Sequence, residues 1–370
     1  METRRAETAE EREAIARLTY DIYVDEMGWD DIGDRERRTV TFPDDASARF
    51  VYATDEGKVV GAIRVQLGAD GPFTAETEQT YDLGRFAGVA APAEMAVLTR
   101  LMARPEHRAG FVPFALMAAA AELAVRQGVQ LFFCDCQPHL LNLYTKVGFR
   151  TYARCFSHPI VGLMIPLVAA PLDVEHQRRI GSPFLALAEQ HHRPSPIPAL
   201  LDQLLATGEA TTRISGQDEA ARWVAEYEQA CRQTERRVGL FDGMPQETIA
   251  RILDRGSILD CRAGDRIIRK GVADRTLYVI LQGTVEIRVG EQVTDVATRG
   301  DVIGEIAYLM QAPRTANVYA ATDDVRIVSL REKALAELRE GNPDVAARLF
   351  ENLSRILCQK LVSLHRRHLV

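Results

Sequence analysis

At 370 residues the chain is longer than one hydrophobic core usually supports, so two or three domains are expected. An apolar fraction of 46% and a charged fraction of 26% fit a globular chain, and a net charge of −7 argues against a dedicated nucleic-acid binder, which carries a basic excess. No apolar run is long enough to cross a bilayer, and Glu2, Arg4, Arg5 and Glu7 stand where a signal core would be apolar, so a cytoplasmic protein without a transmembrane segment is expected.

The spacing of Ile15, Leu18, Ile22 and Tyr23 predicts a helix over residues 7–27. It breaks at Gly28 and gives way to an acidic loop that runs to Asp34. Residues 50–53 and 59–65 read as strands joined by a turn at 55–57. Residues 96–102 form a further strand leading into Arg104, His107 and Arg108. An apolar helix over 113–127, the punctuation of Gly128, a strand over 129–135 and a short helix ending at Gly148 complete a mixed α/β sheet. Of six cysteines only Cys134 and Cys136 lie close together, on one face of the last strand. No second ligand pair accompanies them, so reduced thiols and no metal are expected.

This order resembles the GCN5-related N-acyltransferase superfamily, with its strand-loop-helix at residues 101–117 and its Tyr-x-x-x-Gly-Phe signature at Tyr144, Gly148 and Phe149. Amide formation from a thioester needs a splayed strand for the pantetheine arm, donors at a helix start and an acid for the leaving thiolate. The resemblance implies Tyr144 as that acid; simple packing under Phe149 is the alternative. It places the acyl donor along Leu98, Arg100, Met102, Arg108, Ala109, Gly110, Phe111 and Val112. Phe111 and Pro113 replace glycines that cradle pyrophosphate in acetyl-CoA enzymes, and proline has no N–H to give.

Two groups in the superfamily tolerate such a loop. Acyl-homoserine-lactone synthases carry a run similar to residues 23–29, and long-chain N-acyl amino acid synthases are suggested by Pro138-His139-Leu140 and by residues 158–166. Both commonly take acyl chains from acyl carrier protein. Arg100, Arg104, His107 and Arg108 would give that acidic partner a basic rim, or form an ordinary solvated face. Glu26 and Glu94 are the candidate bases, with surface or capping contacts as the alternative. The lone His139 and His158 read as structural.

From Ser182 the composition shifts, and residues 191–198 form a proline-marked connector followed by helices over 199–207 and 217–236. Short β-rich runs broken by glycine turns then follow, with Arg262-Ala263-Gly264-Asp265, Ile267-Ile268, Gly271 and the run 277–287. Next comes Gly304-Glu305-Ile306-Ala307-Tyr308-Leu309, and then Pro313-Arg314-Thr315-Ala316. Gly304 lets backbone approach a ligand, a turn starting at Glu305 aims free N–H groups at an anion, and Arg314 offers a planar cationic fork. Glu305 can only accept, so a ribose hydroxyl is its natural partner.

These residues resemble the phosphate-binding cassette of cyclic-nucleotide-binding domains, as in catabolite activator protein and the regulatory subunits of cAMP-dependent kinase, and the likeness spans about residues 240–361. It implies a nucleotide site at Ile303, Gly304, Glu305, Ile306, Ala307, Arg314, Thr315 and Ala316, or else a domain that kept the fold and lost the ligand. cAMP is expected ahead of cGMP, although Thr315 could reach the phosphate or a guanine edge. A final amphipathic helix over 343–368 carries Leu349, Leu353, Ile356, Leu357, Leu361 and Leu364, and in this family such a helix caps the base or forms a homodimer seam. No helix-turn-helix follows it, which argues against a transcription factor.

The expected architecture is an α/β mixed-sheet N-acyltransferase fold at 1–183, a connector at 184–236, and a β-barrel or jelly-roll nucleotide-binding domain with flanking helices at 237–370. The expected activity is cyclic-nucleotide-regulated transfer of an acyl group from acyl carrier protein or CoA to an amine. A nucleotide-regulated lysine acetyltransferase using acetyl-CoA, and a non-catalytic nucleotide sensor, are the alternatives.

Overall fold

The computed structural model describes residues 1–29, 32–108, 110–158, 161–206, 239–253 and 256–368, except for the side chains of residues 139, 142 and 363–368. Ala109 and the expected helix over 217–236 therefore lie outside the described residues, as does the side chain of Leu364. The chain divides into two compact units: Met1–Cys136, Asn142–Tyr152 and Pro166–Gly208 form one, and Gln137–Leu141, Ala153–Ile165 and Glu209–Val370 the other.

In the first unit, helix α1 (Ala9–Tyr20) starts at a capping box in which the Thr8 hydroxyl accepts from the Glu11 N–H and the Glu11 carboxylate accepts from the Thr8 N–H. The Tyr52 hydroxyl also donates to Glu11, and these bonds hold its carboxyl down at about 2. The helix then widens into a π turn, Asp21–Glu26, before Gly28 ends it at φ 68°.

Strands β1 (Glu2–Arg5), β2 (Arg49–Asp55), β3 (Lys58–Leu67), β4 (Met95–Ala103), β5 (Leu131–Cys136), β6 (Arg150–Thr151), β7 (Phe156–His158) and β8 (Gly162–Ala169) build one sheet. Its order is β1-β2-β3-β4-β5-β8-β6, with β7 pairing on β8. The mixed sheet is as expected. Among the elements that were not are β1, a short polar edge strand, and helix α2 (Ala75–Tyr81). Neither has an apolar period that would announce it.

Strands β4 and β5 run parallel and are in register only at Met95–Leu131, Ala96–Phe132 and Val97–Phe133. Beyond those pairs, β4 continues to Ala103 and β5 to Cys136 without further pairing between them, so the sheet opens there. Arg100 sits at the register shift between β4 and β3, with φ 53°. After the short helix α3 (Pro105–Arg108), helix α4 (Val112–Arg126) packs on β2, β3 and β4, while Ile15, Leu18 and Ile22 of the N-terminal helix bury themselves with Phe50, Tyr52 and Met102.

The second unit contains two four-stranded antiparallel sheets. One is β10 (Arg266–Ile268), β15 (Asn317–Ala320), β12 (Thr284–Val289) and β13 (Gln292–Thr298). The other is β14 (Val302–Ile303), β11 (Leu277–Gln282), β16 (Val325–Leu330) and β9 (Ser257–Cys261). Leu277, Val279, Leu281, Val328 and Leu330 form its core with Leu349, Leu353 and Ile356 of the C-terminal helix Pro343–His368.

Candidate acyl-transfer cleft and nucleotide cassette

Polar groups from several segments lie near the opening between β4 and β5. Tyr144, on the helix Leu141–Lys146, is 8% exposed, and its ring packs edge-on against Phe149 at 5.7 Å between centroids. Among the described residues nothing hydrogen-bonds its hydroxyl. Burial, with the nearby Cys134, Cys136, Asp135 and Tyr23, pushes that phenol well above 10, so it stays protonated at any working pH. Gly148 of the same signature has φ 102°, and a Cβ there would stand 2.3 Å from the Gln177 amide.

Tyr23 comes from the π turn, its ring 4.3 Å from Trp29. Burial lifts its phenol to about 12; the charge on Arg100 opposes the shift while Asp135 and Asp45 add to it. Tyr23 is thus an electrostatic neighbour of β4, of β5 and of the turn Pro43–Ser47. That turn supplies Asp44 and Asp45, which neutralise two arginines. Arg100 forms a fork on Asp45, with one bond of 3.0 Å, and Arg64, 3% exposed on β3, pairs with Asp44 and Asp45. Asp44, Asp45 and Arg64 escaped sequence reasoning as site groups because their partners lie 20 to 55 positions away.

Leu98 and Met102 are buried on the open arm of β4, and Val112 is buried at the start of α4. Phe111 precedes that helix, 69% exposed, with no side-chain cap, and Gly110 donates its N–H to His107 O. The expected basic rim is largely neutralised. Arg100 is held by Asp45, Arg104 donates to Asp21 at 2.9 Å, and Arg108 makes a bidentate pair with Glu26. Glu26 is therefore engaged at the surface. Glu94 accepts from the Ala91 N–H and from the Gln130 amide at 2.5 Å, a capping role. No cluster of metal-ligating side chains occurs among the described residues, and no helix among them is long and apolar enough to cross a membrane.

In the second unit, Ile303 ends β14 buried, and Gly304 takes φ 86° to start the helix Glu305–Met310. A side chain at Gly304 would meet Arg314 at 2.4 Å. Arg314 is 3% exposed and folded back: it donates to Gly304 O at 3.1 Å, to Thr276 O at 2.6 Å and to Asp274 at 2.6 Å. Glu305, 5% exposed, accepts from Lys360 of the C-terminal helix at 2.7 Å; Lys360 also donates to Val302 O. Ala307 is buried, Ile306 and Thr315 are exposed, and Ala316 is half-buried. The cassette residues named from sequence thus surround one spot, and both charged ones have internal partners. Sequence reasoning passed over Asp274 and Lys360, whose only signal was opposite charge at long range.

Two family models match the chain: the N-acyl amino acid synthase FeeM over residues 14–173 and the cyclic nucleotide-binding domain over 258–342. Residues 14–173 thus resemble an acyl-synthase domain and residues 258–342 a cyclic-nucleotide-binding domain. The chain is similar to a cAMP-dependent protein kinase regulatory subunit of Mycosarcoma maydis, 35% identical over an alignment of 109 residues that covers 27% of this chain and 21% of that protein. It is also similar to the Pycsar effector protein BcPycTIR of Burkholderia cepacia, 28% identical over 30% of this chain and 37% of that one. The chain thus spans well under half the length of these curated relatives. Among solved structures, TofI in a ternary complex with an inhibitor and MTA aligns with 18% identity and a TM-score of 0.40, covering 50% of this chain and 100% of that one.

Proposed function

We propose that the protein is a cyclic-nucleotide-regulated N-acyltransferase that moves an acyl group from a thioester to the amine of a small acceptor, an amino acid in the first instance. The observation that carries the proposal is the opening between β4 and β5, lined by Leu98 and Arg100, with the Tyr144 hydroxyl unpartnered among the described residues. The acyl-synthase match over residues 14–173 supports it.

A thioester carbonyl lying in the opening would be attacked by a neutral amine. The C–N bond forms, the C–S bond breaks, and Tyr144 gives its proton to the leaving thiolate while regaining one from the former ammonium nitrogen. That exchange suits a phenol too basic to remain ionised. Arg100, Phe111 and Val112 would border the pantetheine arm. Pro113 leaves the first turn of α4 short of a donor for pyrophosphate, which favours acyl carrier protein over CoA as donor.

In the second domain a cyclic nucleotide, with cAMP preferred, would place its phosphate on Arg314 and the cassette N–H groups and its ribose on Glu305. Mass spectrometry of products from acyl-carrier-protein and acyl-CoA thioesters with mixed amino acids, with and without cAMP or cGMP, tests the whole proposal. Amide products whose yield depends on nucleotide are expected. A higher kcat/KM with acetyl-CoA and a protein lysine would favour the acetyltransferase alternative, and nucleotide binding with no product from any donor the sensor alternative.

A further inference from the structure

Asp135 stands two residues beyond the last β4–β5 register pair, on the arm of β5 that lines the opening. A partly buried carboxyl in a strand of large apolar residues needs a reason, because such a site disfavours its charge. Its surroundings are specifically built. The Tyr81 hydroxyl, from the end of α2, donates to Oδ1 of Asp135. The Tyr152 hydroxyl donates to the backbone oxygen of Tyr81 at 2.7 Å and so fixes that residue. Tyr152 is itself locked edge-on between Phe86 and Phe133, at 5.0 and 6.1 Å. The other carboxyl oxygen, Oδ2, has no protein partner among the described residues.

The ionisable groups that feel the Asp135 charge are Tyr23 on the π turn, Tyr81 on α2, Cys134 beside it, and Tyr144 and Tyr152. Every one is neutral near pH 7, since burial raises each of them. Burial likewise pushes the Asp135 carboxyl above the ordinary carboxylate range, opposed by the Tyr81 hydrogen bond. Glu26 and Glu94, by contrast, have their oxygens engaged by Arg108 and by the Ala91 and Gln130 N–H groups.

We infer that Asp135 is the proton acceptor for the attacking amine, with Tyr81 as its positioning residue; this rests on the N-acyltransferase proposal above. Oδ2 takes one proton from the acceptor's ammonium group and leaves a neutral amine. The amine attacks the thioester carbon; its second proton passes by way of Tyr144 to the departing thiolate, and Asp135 later releases its proton to water. One amide and one thiol form, and no further reactant is needed.

The test is the pH dependence of kcat/KM in the full chain with whichever thioester and amine the wild type uses. The wild type should gain activity along a limb whose midpoint lies above the ordinary carboxylate range. Asp135→Asn should lower kcat/KM by about 100- to 10,000-fold and abolish the limb, and Asp135→Glu should restore part of both. Tyr81→Phe removes a bond that favours the charged carboxylate, so its limb should move to higher pH. Asp135→Asn that is folded by circular dichroism, fully active and still shows the limb would overturn the inference and leave the acyltransferase proposal standing. Should that variant fail to fold, an unmoved midpoint in Tyr81→Phe would overturn it just as firmly. Absence of any product from the wild type would remove the acyltransferase proposal, and this inference with it.

Discussion

The cleft of the first unit and the cassette of the second solve opposite electrostatic problems. In the cassette the charged side chains are buried and bonded to internal partners: Arg314 to Asp274 and two carbonyls, Glu305 to Lys360. A ligand phosphate must share or replace those partners. In the cleft the tyrosines and Asp135 are raised by burial toward their neutral forms, and the ion pairs lie around its edge, in the Asp44, Asp45, Arg64 and Arg100 group and in the pairs Arg104–Asp21 and Arg108–Glu26. Recognition of a fixed anion favours preserved charge, whereas proton transfer favours groups whose charge is costly.

The largest expected effect breaks the cleft side of this contrast. Tyr144→Phe keeps the ring contact with Phe149 but removes the hydroxyl, so kcat should fall by roughly 100- to 10,000-fold with little change in the melting curve. Equal loss of stability and activity would instead show that Tyr144 acts by packing. Arg314→Ala tests the cassette. Calorimetric affinity for cAMP and cGMP should drop by about 2–4 kcal/mol, roughly 30- to 1000-fold, because the charge-assisted contact to the phosphate is lost.

Gly148→Ala should destabilise the first domain by about 1–3 kcal/mol, from φ 102° and the Gln177 contact, read as a lower thermal midpoint. A smaller and opposite effect is expected at Lys360. Lys360→Met frees Glu305 for a ribose hydroxyl, so nucleotide affinity should rise by about 2- to 5-fold. Weaker binding would mean that Lys360 orients Glu305 instead of competing for it. The last effect is acid-dependent. The Glu11 carboxyl, about 2 when folded and higher when unfolded, contributes stability that is fully present above the unfolded pKa and lost as pH falls through about 2. Glu11→Gln should therefore lower the melting temperature at pH 7 and make less difference near pH 2.

What could be read in advance differed between the two regions for a physical reason. Ile303 to Ala316 is one short local stretch, and its conformational demands, a left-handed Gly304 and a helix start at Glu305, are written in adjacent residues. The C-terminal helix and the strands β2 to β5 likewise announce themselves through apolar periods of 3.6 and 2. The cleft has no such local signature. Tyr23, Tyr81, Asp135 and Tyr144 come from four elements, and Asp135 looks in sequence like a stray charge between two cysteines.

By itself, then, the sequence determined the two-part organisation, the mixed sheet and the glycine-led helix start at Glu305, because each depends on backbone preference or on spacing along one element. Only the tertiary structure decided which charges are spent. It paired Arg108 with Glu26, Arg100 with Asp45 and Glu305 with Lys360, and left Asp135 with one oxygen bonded to Tyr81. Ionic partnership and desolvation depend on distance in space between residues 55 to 82 positions apart in sequence, and no local pattern records that distance.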